Sequence, residues 1–164
     1  MSKYQLAQLN VAALKAPLDS PELKDFVDNL DRINALAENS AGFVWRLKGD
    51  GNDATSLRPL GDNVLVNMSV WRDVNSLRDY VYKSAHAEIM RRRREWFTRT
   101  PGPPFALWWV PEGHKPTIAE AVARIEHLRK RGPSAEAFTF GEAFAAPDAQ
   151  NAGAPFSFKD NCPA

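Results

Sequence analysis

The stretch that most restricts the fold of this chain is Val64 to Phe97, where the spacing of apolar residues switches from two to helical. Val64 to Trp71 (VLVNMSVW) alternates as a strand, with Val64, Val66, Met68 and Val70 on one face. Leu65, Asn67, Ser69 and Trp71 fall on the other. Asp73 then suits a helix N-cap, and the apolar spacing predicts one long helix over about 74–98. Pro101, Pro103 and Pro104 end it, because proline lacks the backbone donor a helix needs.

The rest of the chain repeats this alternation. Tyr4 to Val11 reads as a strand. Ser20-Pro21 opens a helix over about 21–38, with Leu23, Phe26, Val27, Leu30, Ile33 and Ala37 at helical spacing. Phe43 to Lys48 is a second strand, followed by a Gly-, Asp- and Asn-rich loop over 49–63, long enough to cover a site. Phe105 to Val110 is a further strand. Thr117-Ile118-Ala119-Glu120 is a capping box for a last helix, which Gly132-Pro133 stop. Ala137 to Phe144 is expected as a short final strand. The order strand, helix, strand, strand, helix, strand is the ferredoxin-like split βαβ arrangement of the α+β class, with an antiparallel sheet. The extra helix and strand follow it. A single domain over 1–144 is expected, with a poorly ordered or surface-wrapping tail over 145–164, where Phe156 and Phe158 lie. Such a sheet leaves one face open, and a homodimer through that face is the natural cover.

Composition narrows the function classes. The net charge of +1 gives no global field for nucleic acid or an anionic membrane. The lone Cys162 can form neither an intramolecular disulfide nor a cysteine zinc site. There is no signal-type apolar run and no stretch of 18 apolar residues, so a soluble cytoplasmic protein is expected. No phosphate-binding glycine loop, nucleophile elbow or metal-binding histidine pair appears.

Histidine, arginine and tryptophan carry what chemistry there is. On a continuous helix His86 shares a side with Tyr82, Ile89, Met90, Arg93 and Phe97, and its ordinary pKa of about 6.5 suits a general base. Arg91 to Arg94 spread around the helix axis, so at most two share a face. They read first as a solvated helix end, with one or two free to turn inward and hold an anion. Asn67 and Ser69 are polar positions in an apolar strand. Asn67, Arg46, Trp71, Trp108 and His86 form the expected pocket, with Tyr82, Met90 and Arg93 as further substrate contacts. His114 reads as a turn residue and His127 as exposed.

The segments NMSVWRDVNSLRDYVYKSAH, RRRREWF, ALWWVPEGHKPTIAEA and GPSAEAFTF resemble an uncharacterised bacterial family. It is grouped with the dimeric α+β barrels, the superfamily of the antibiotic-biosynthesis monooxygenases. The resemblance covers about residues 3–141 and implies the fold and a homodimer. That superfamily includes cofactor-free oxygenases, polyketide cyclases, isomerases, haem proteins and small binding modules, so the fold by itself selects no activity. With the candidate pocket residues, the expectation is a cofactor-independent monooxygenase-, cyclase- or isomerase-type enzyme for an apolar or aromatic substrate. In it His86 takes or relays a proton, and Asn67, Arg46 or an arginine of the long helix stabilises the developing oxyanion. No metal is expected. A haem- or ligand-binding module without catalysis is the alternative, because one helical histidine can serve as an axial ligand.

Overall fold

A computed structural model describes residues 2–149 of the chain. Strand β1 (Tyr4–Leu14) is followed by a 3-10 turn (Pro21–Leu23) and helix α1 (Lys24–Glu38). Then come β2 (Phe43–Arg46), β3 (Val64–Trp71), α2 (Val74–Lys83), α3 (His86–Arg91), α4 (Arg93–Trp96), β4 (Phe97–Thr98), β5 (Phe105–Pro111) and α5 (Ile118–Arg131). The antiparallel sheet runs β2-β3-β1, and β4 and β5 share the remaining edge of β1. Strand order β2-β3-β1-β5 with α1 and α2 as connections is the ferredoxin-like fold.

Local signals act where they were expected. The Asp73 carboxylate accepts from Ser76 N at 2.8 Å, and Thr117 Oγ1 accepts from Glu120 N at 3.1 Å. Gly132 takes φ 75°, a conformation that ends α5 without a Cβ penalty. Ser20 precedes the 3-10 turn but makes no side-chain cap; its hydroxyl donates to the Pro17 carbonyl instead.

The register divides the sheet into two faces. Ala7, Leu9, Val11, Val66, Met68, Val70, Ala106, Trp108 and Val110 form one, packed on Ala121, Ile125 and Leu128 of α5. Leu57 and Leu60 of the 49–63 loop, with Trp45 and Leu47, complete that cover. The sheet face expected to await a second copy of the chain is thus filled from within, and Met68, Leu9 and Ile125 are at most 2% exposed. The other face carries Leu6, Trp71 and Leu107 against Ala37 of α1, Leu77 of α2, and Phe138, Phe140 and Ala143.

Three expectations need correction. The helix foreseen over 74–98 is three pieces, because Ser84 is extended (φ −107°, ψ −178°) and Arg92 separates α3 from α4. Ser84 provides its own reason: its hydroxyl donates to the Tyr80 carbonyl and accepts from His86 N at 3.2 Å, bonds that compete with the helical ladder. The final strand is only a one-residue bridge, Phe138 to Leu107, beside a tight turn closed by Ser134 and Ala137. The 49–63 loop covers the α5 face of the sheet and not a site. Most of the expected tail lies outside the described residues; of its first five, Ala146 is buried and the Asp148 carboxylate accepts from Ser2 Oγ and Lys3 N.

Candidate functional site

On the α1 face the strands set side chains in rows. Trp109, Leu6, Trp71 and Phe43 form an apolar row; Leu107, Gln8, Ser69 and Arg46 follow; then come Phe105, Asn10 and Asn67. The polar residues of the second row, Gln8, Ser69 and Arg46, are buried, where an apolar floor is the usual solution, while Asn67 of the third row is exposed. Gln8 Nε2 donates to Asn67 Oδ1 at 2.9 Å and to Ser69 Oγ at 2.8 Å. Ser69 Oγ also accepts from Trp71 Nε1 at 2.8 Å. With its carbonyl held by Gln8, Asn67 turns its Nδ2 hydrogens outward, and its side chain is exposed although it sits on an inner strand.

An aromatic stack rises from this floor. Phe43 meets Trp71 edge-on at 5.4 Å, Trp71 stacks on Tyr80 at 5.0 Å, and Tyr80 contacts His86 at 4.8 Å between ring centroids. Tyr80 is fixed from above by its hydroxyl, which donates to the Ile33 carbonyl at 3.2 Å. Burial raises the Tyr80 phenol pKa, a shift the nearby Arg46 charge opposes.

His86 is half-buried. Its Nδ1 lies 3.3 Å from the Val81 carbonyl, which can only accept, so that nitrogen carries the proton and Nε2 bears the lone pair. Among the described residues Nε2 has no partner. Burial lowers the pKa of the ring, against the Val81 hydrogen bond, so the neutral form dominates at pH 7. A neutral imidazole anchored at one nitrogen and open at the other can take a proton or ligate a metal.

The structure separates several residues expected together. Trp108 lies on the opposite face, where Nε1 donates to Glu120 Oε1 at 3.2 Å. Tyr82 is exposed and meets the Phe140 ring edge-on at 5.7 Å, because the break at Ser84 rotates it away from His86; Tyr80 takes that place. Arg46 is buried but engaged: Nε reaches Glu38 at 2.6 Å, Nη2 reaches Asn52 Oδ1 at 3.0 Å, and Nη1 meets the Asn52 carbonyl. It clamps β2 to α1 and the loop, with all three guanidinium nitrogens engaged by Glu38 and Asn52. Met90 and Arg93 are half-buried, and Arg93 Nη1 donates to the Met90 carbonyl at 3.3 Å. Arg92 is held by Asp25 and Glu95 and lies over the Trp96 ring. His114 Nε2 pairs with Glu120 at 2.8 Å and His127 Nε2 with Glu136 at 2.9 Å.

Gln8 and Tyr80 went unrecognised in the sequence. Gln8 had a signal, an amide on the strand position aligned with Leu6; Tyr80 had none while the helix was read as continuous. Two clefts flank the site without including His86 or Asn67. One of about 400 Å³ is lined by Tyr80, Ser84, Arg72 and Asp79; the other, of about 480 Å³, lies between Leu14, Leu18, Val27 and Arg58. Among the described residues no group of three or more His, Cys, Asp or Glu could hold a metal ion, and no helix is long and apolar enough to cross a membrane.

No curated protein matches the chain. Solved structures similar to it include SnoaB, a cofactor-independent oxygenase from Streptomyces nogalater (17% identity over 70% of this chain and 96% of that one, TM-score 0.44). A dabb family protein with a ferredoxin-like fold from Mesorhizobium loti is similar at 18% identity (66% of this chain, 99% of that one, TM-score 0.42). A conserved protein from Methanosarcina mazei is similar at 11% identity (66% and 93%, TM-score 0.47). At these identities no activity carries over to this chain. A family model described as a domain of unknown function, DUF3291, matches residues 5–154, and the chain belongs to that family.

Proposed function

We propose that the chain is a small-molecule enzyme that removes a proton from an apolar or aromatic substrate without a bound cofactor. One observation carries the reading: His86 is anchored through Nδ1 on the Val81 carbonyl and tilted against Tyr80, and the basic Nε2 has no partner among the described residues. Nε2 accepts the proton. The Asn67 amide, oriented by Gln8, donates to the oxygen on which charge develops. Tyr80, held from below by the buried Trp71 and lining the cleft of about 400 Å³, supplies the aromatic surface beside the base. Oxygenation, cyclisation and isomerisation of a carbonyl compound all begin with this step. A second copy of the chain, expected from the sequence, would dock elsewhere than on the α5-covered face, and light scattering reads its presence.

The test is deuterium exchange at the acidic C–H of enolisable aromatic ketones (2-tetralone, 1-indanone, anthrone), followed by NMR. We expect protein-catalysed exchange, reduced about 10²–10⁴-fold in His86→Gln and about 10²–10³-fold in Asn67→Leu. Exchange no faster than buffer for every ketone, with unmoved His86 resonances, refutes the reading. Haem ligation is the competing use of the same anchored ring. A Soret band in the purified protein that disappears in His86→Ala replaces the acid–base reading with it.

A further inference from the structure

We infer that Ser84 is a positioning residue: by ending α2 it frees the Val81 carbonyl from the helical ladder, and the freed carbonyl holds the His86 proton on Nδ1. The value of that tautomer to catalysis rests on the proton-abstraction reading; the tautomer itself does not.

A helix running through this stretch would bring Ser84 N to the Tyr80 carbonyl and Ala85 N to the Val81 carbonyl. Neither bond is made. α2 ends at Lys83, and the extended Ser84 returns no backbone N–H to it. The Ser84 hydroxyl takes over at Tyr80 and donates to its carbonyl. At Val81 no backbone N–H arrives among the described residues. His86 Nδ1, five positions on, lies 3.3 Å from that carbonyl instead. Val81 is half-buried, and a carbonyl in such a place calls for a donor. A continuous helix would set His86 about 140° around the axis from Val81, with the carbonyl already engaged. The pairing of ring and carbonyl therefore exists because the helix is broken.

The same hydroxyl decides where the ring stands. Ser84 Oγ accepts from His86 N at 3.2 Å, and the Ser84 carbonyl accepts from Ala87 N at 3.0 Å. One residue thus closes the last turn of α2 and opens α3. None of the α3 residues is buried, so core packing does not place the imidazole. These local bonds and the Tyr80 ring, 4.8 Å from it between centroids, do so.

A neutral imidazole free in water carries its proton mainly on Nε2. An acceptor at Nδ1 reverses that preference and leaves the lone pair on Nε2, the nitrogen with no partner among the described residues. Alanine at position 84 has no hydroxyl to compete with the ladder and is the strongest helix former. In Ser84→Ala the backbone N–H groups of positions 84 and 85 should return to Tyr80 and Val81 and displace the ring. Ser84→Thr keeps the hydroxyl.

The test is long-range 1H–15N NMR of the histidine rings in the full chain at about pH 8, where the imidazole is neutral. The wild type is expected to show His86 mainly as the Nδ1–H tautomer. Ser84→Ala should move the tautomer ratio toward Nε2–H by about 2–10-fold, the worth of one net hydrogen bond, and Ser84→Thr should restore it. In the wild type the Ser84 and Ala85 amides should exchange with solvent freely, and in Ser84→Ala the Ala85 amide should gain protection. An Nε2–H wild-type ring, a protected wild-type Ala85 amide, or a ratio unmoved in a folded Ser84→Ala overturns the inference. The first two are read on the wild type, so they decide even if Ser84→Ala does not fold. The two readings fail separately. Absence of ketone exchange with the expected tautomers sinks the acid–base reading alone, and catalysed exchange with an unmoved tautomer ratio sinks this one alone.

Discussion

Ser69 holds the floor of the site together, and removing its hydroxyl is the most direct test of that floor. Its oxygen accepts from two donors, Trp71 Nε1 and Gln8 Nε2, each at 2.8 Å. Ser69→Ala leaves them unequally placed. Gln8 Nε2 keeps Asn67 Oδ1 at 2.9 Å, but the Trp71 indole N–H, on a residue 0% exposed, has nowhere else to go. An orphaned buried donor costs about 1–3 kcal/mol, so Ser69→Ala should destabilise the fold by about 2 kcal/mol. With a urea slope of about 2 kcal/mol/M, that lowers the midpoint by about 1 M. In a Trp71→Phe background no indole donor remains, and the same substitution should cost less than about 1 kcal/mol. The double-mutant cycle then shows a coupling above about 1 kcal/mol, read by far-UV circular dichroism. Additive effects, or a loss under about 0.5 kcal/mol for Ser69→Ala alone, would show that the indole finds another acceptor and that the floor is not organised around this hydroxyl. The cycle bears on function as well. Trp71 carries Tyr80, and Tyr80 carries His86, so a tilted indole should shift the His86 ring resonances.

Two further outcomes follow from the same geometry. His86 has a folded-state pKa below its unfolded value of about 6.5, so the unfolded chain binds the proton more readily. Its contribution to stability is whole above about pH 6.5 and declines as pH falls toward and through the folded pKa; His86→Gln should flatten that slope in urea titrations, and an NMR midpoint above 6.5 contradicts the burial argument. Gly42 takes φ +83°, and a Cβ there would lie 2.2 Å from Ser76 Oγ and 2.5 Å from Ser76 Cβ at the start of α2. Gly42→Ala should cost about 2 kcal/mol or more in strain, a fall in Tm of roughly 4–8 °C by scanning calorimetry.

Local chemistry was legible wherever a few neighbouring residues decide the outcome. The alternation of Val64 to Trp71 corresponds to a strand with the same bounds, because a strand between two packed layers must bury both sets of side chains. Asp73, Thr117 and Gly132 bound their helices through bonds or torsions within four residues. Ser84 belongs to the same class of signal but was read as helical, since serine is tolerated mid-helix and nothing nearby forbids it. That one residue displaced Tyr82 from the site and substituted Tyr80.

The order of strands and helices, the antiparallel sheet, the alternating faces and the candidacy of His86 and Asn67 belong to the sequence, because spacing and capping act over a few residues. Two matters belong to the tertiary structure alone. Which sheet face each set of side chains meets depends on where α5 lands, and its docking put Trp108 away from Trp71 and closed the face expected for a partner. Whether a polar side chain is free depends on distant residues, and Glu38 and Asn52 engage Arg46 while Val81 fixes the proton on His86. Contacts between residues dozens of positions apart have no period, and so no local pattern of the chain could announce them.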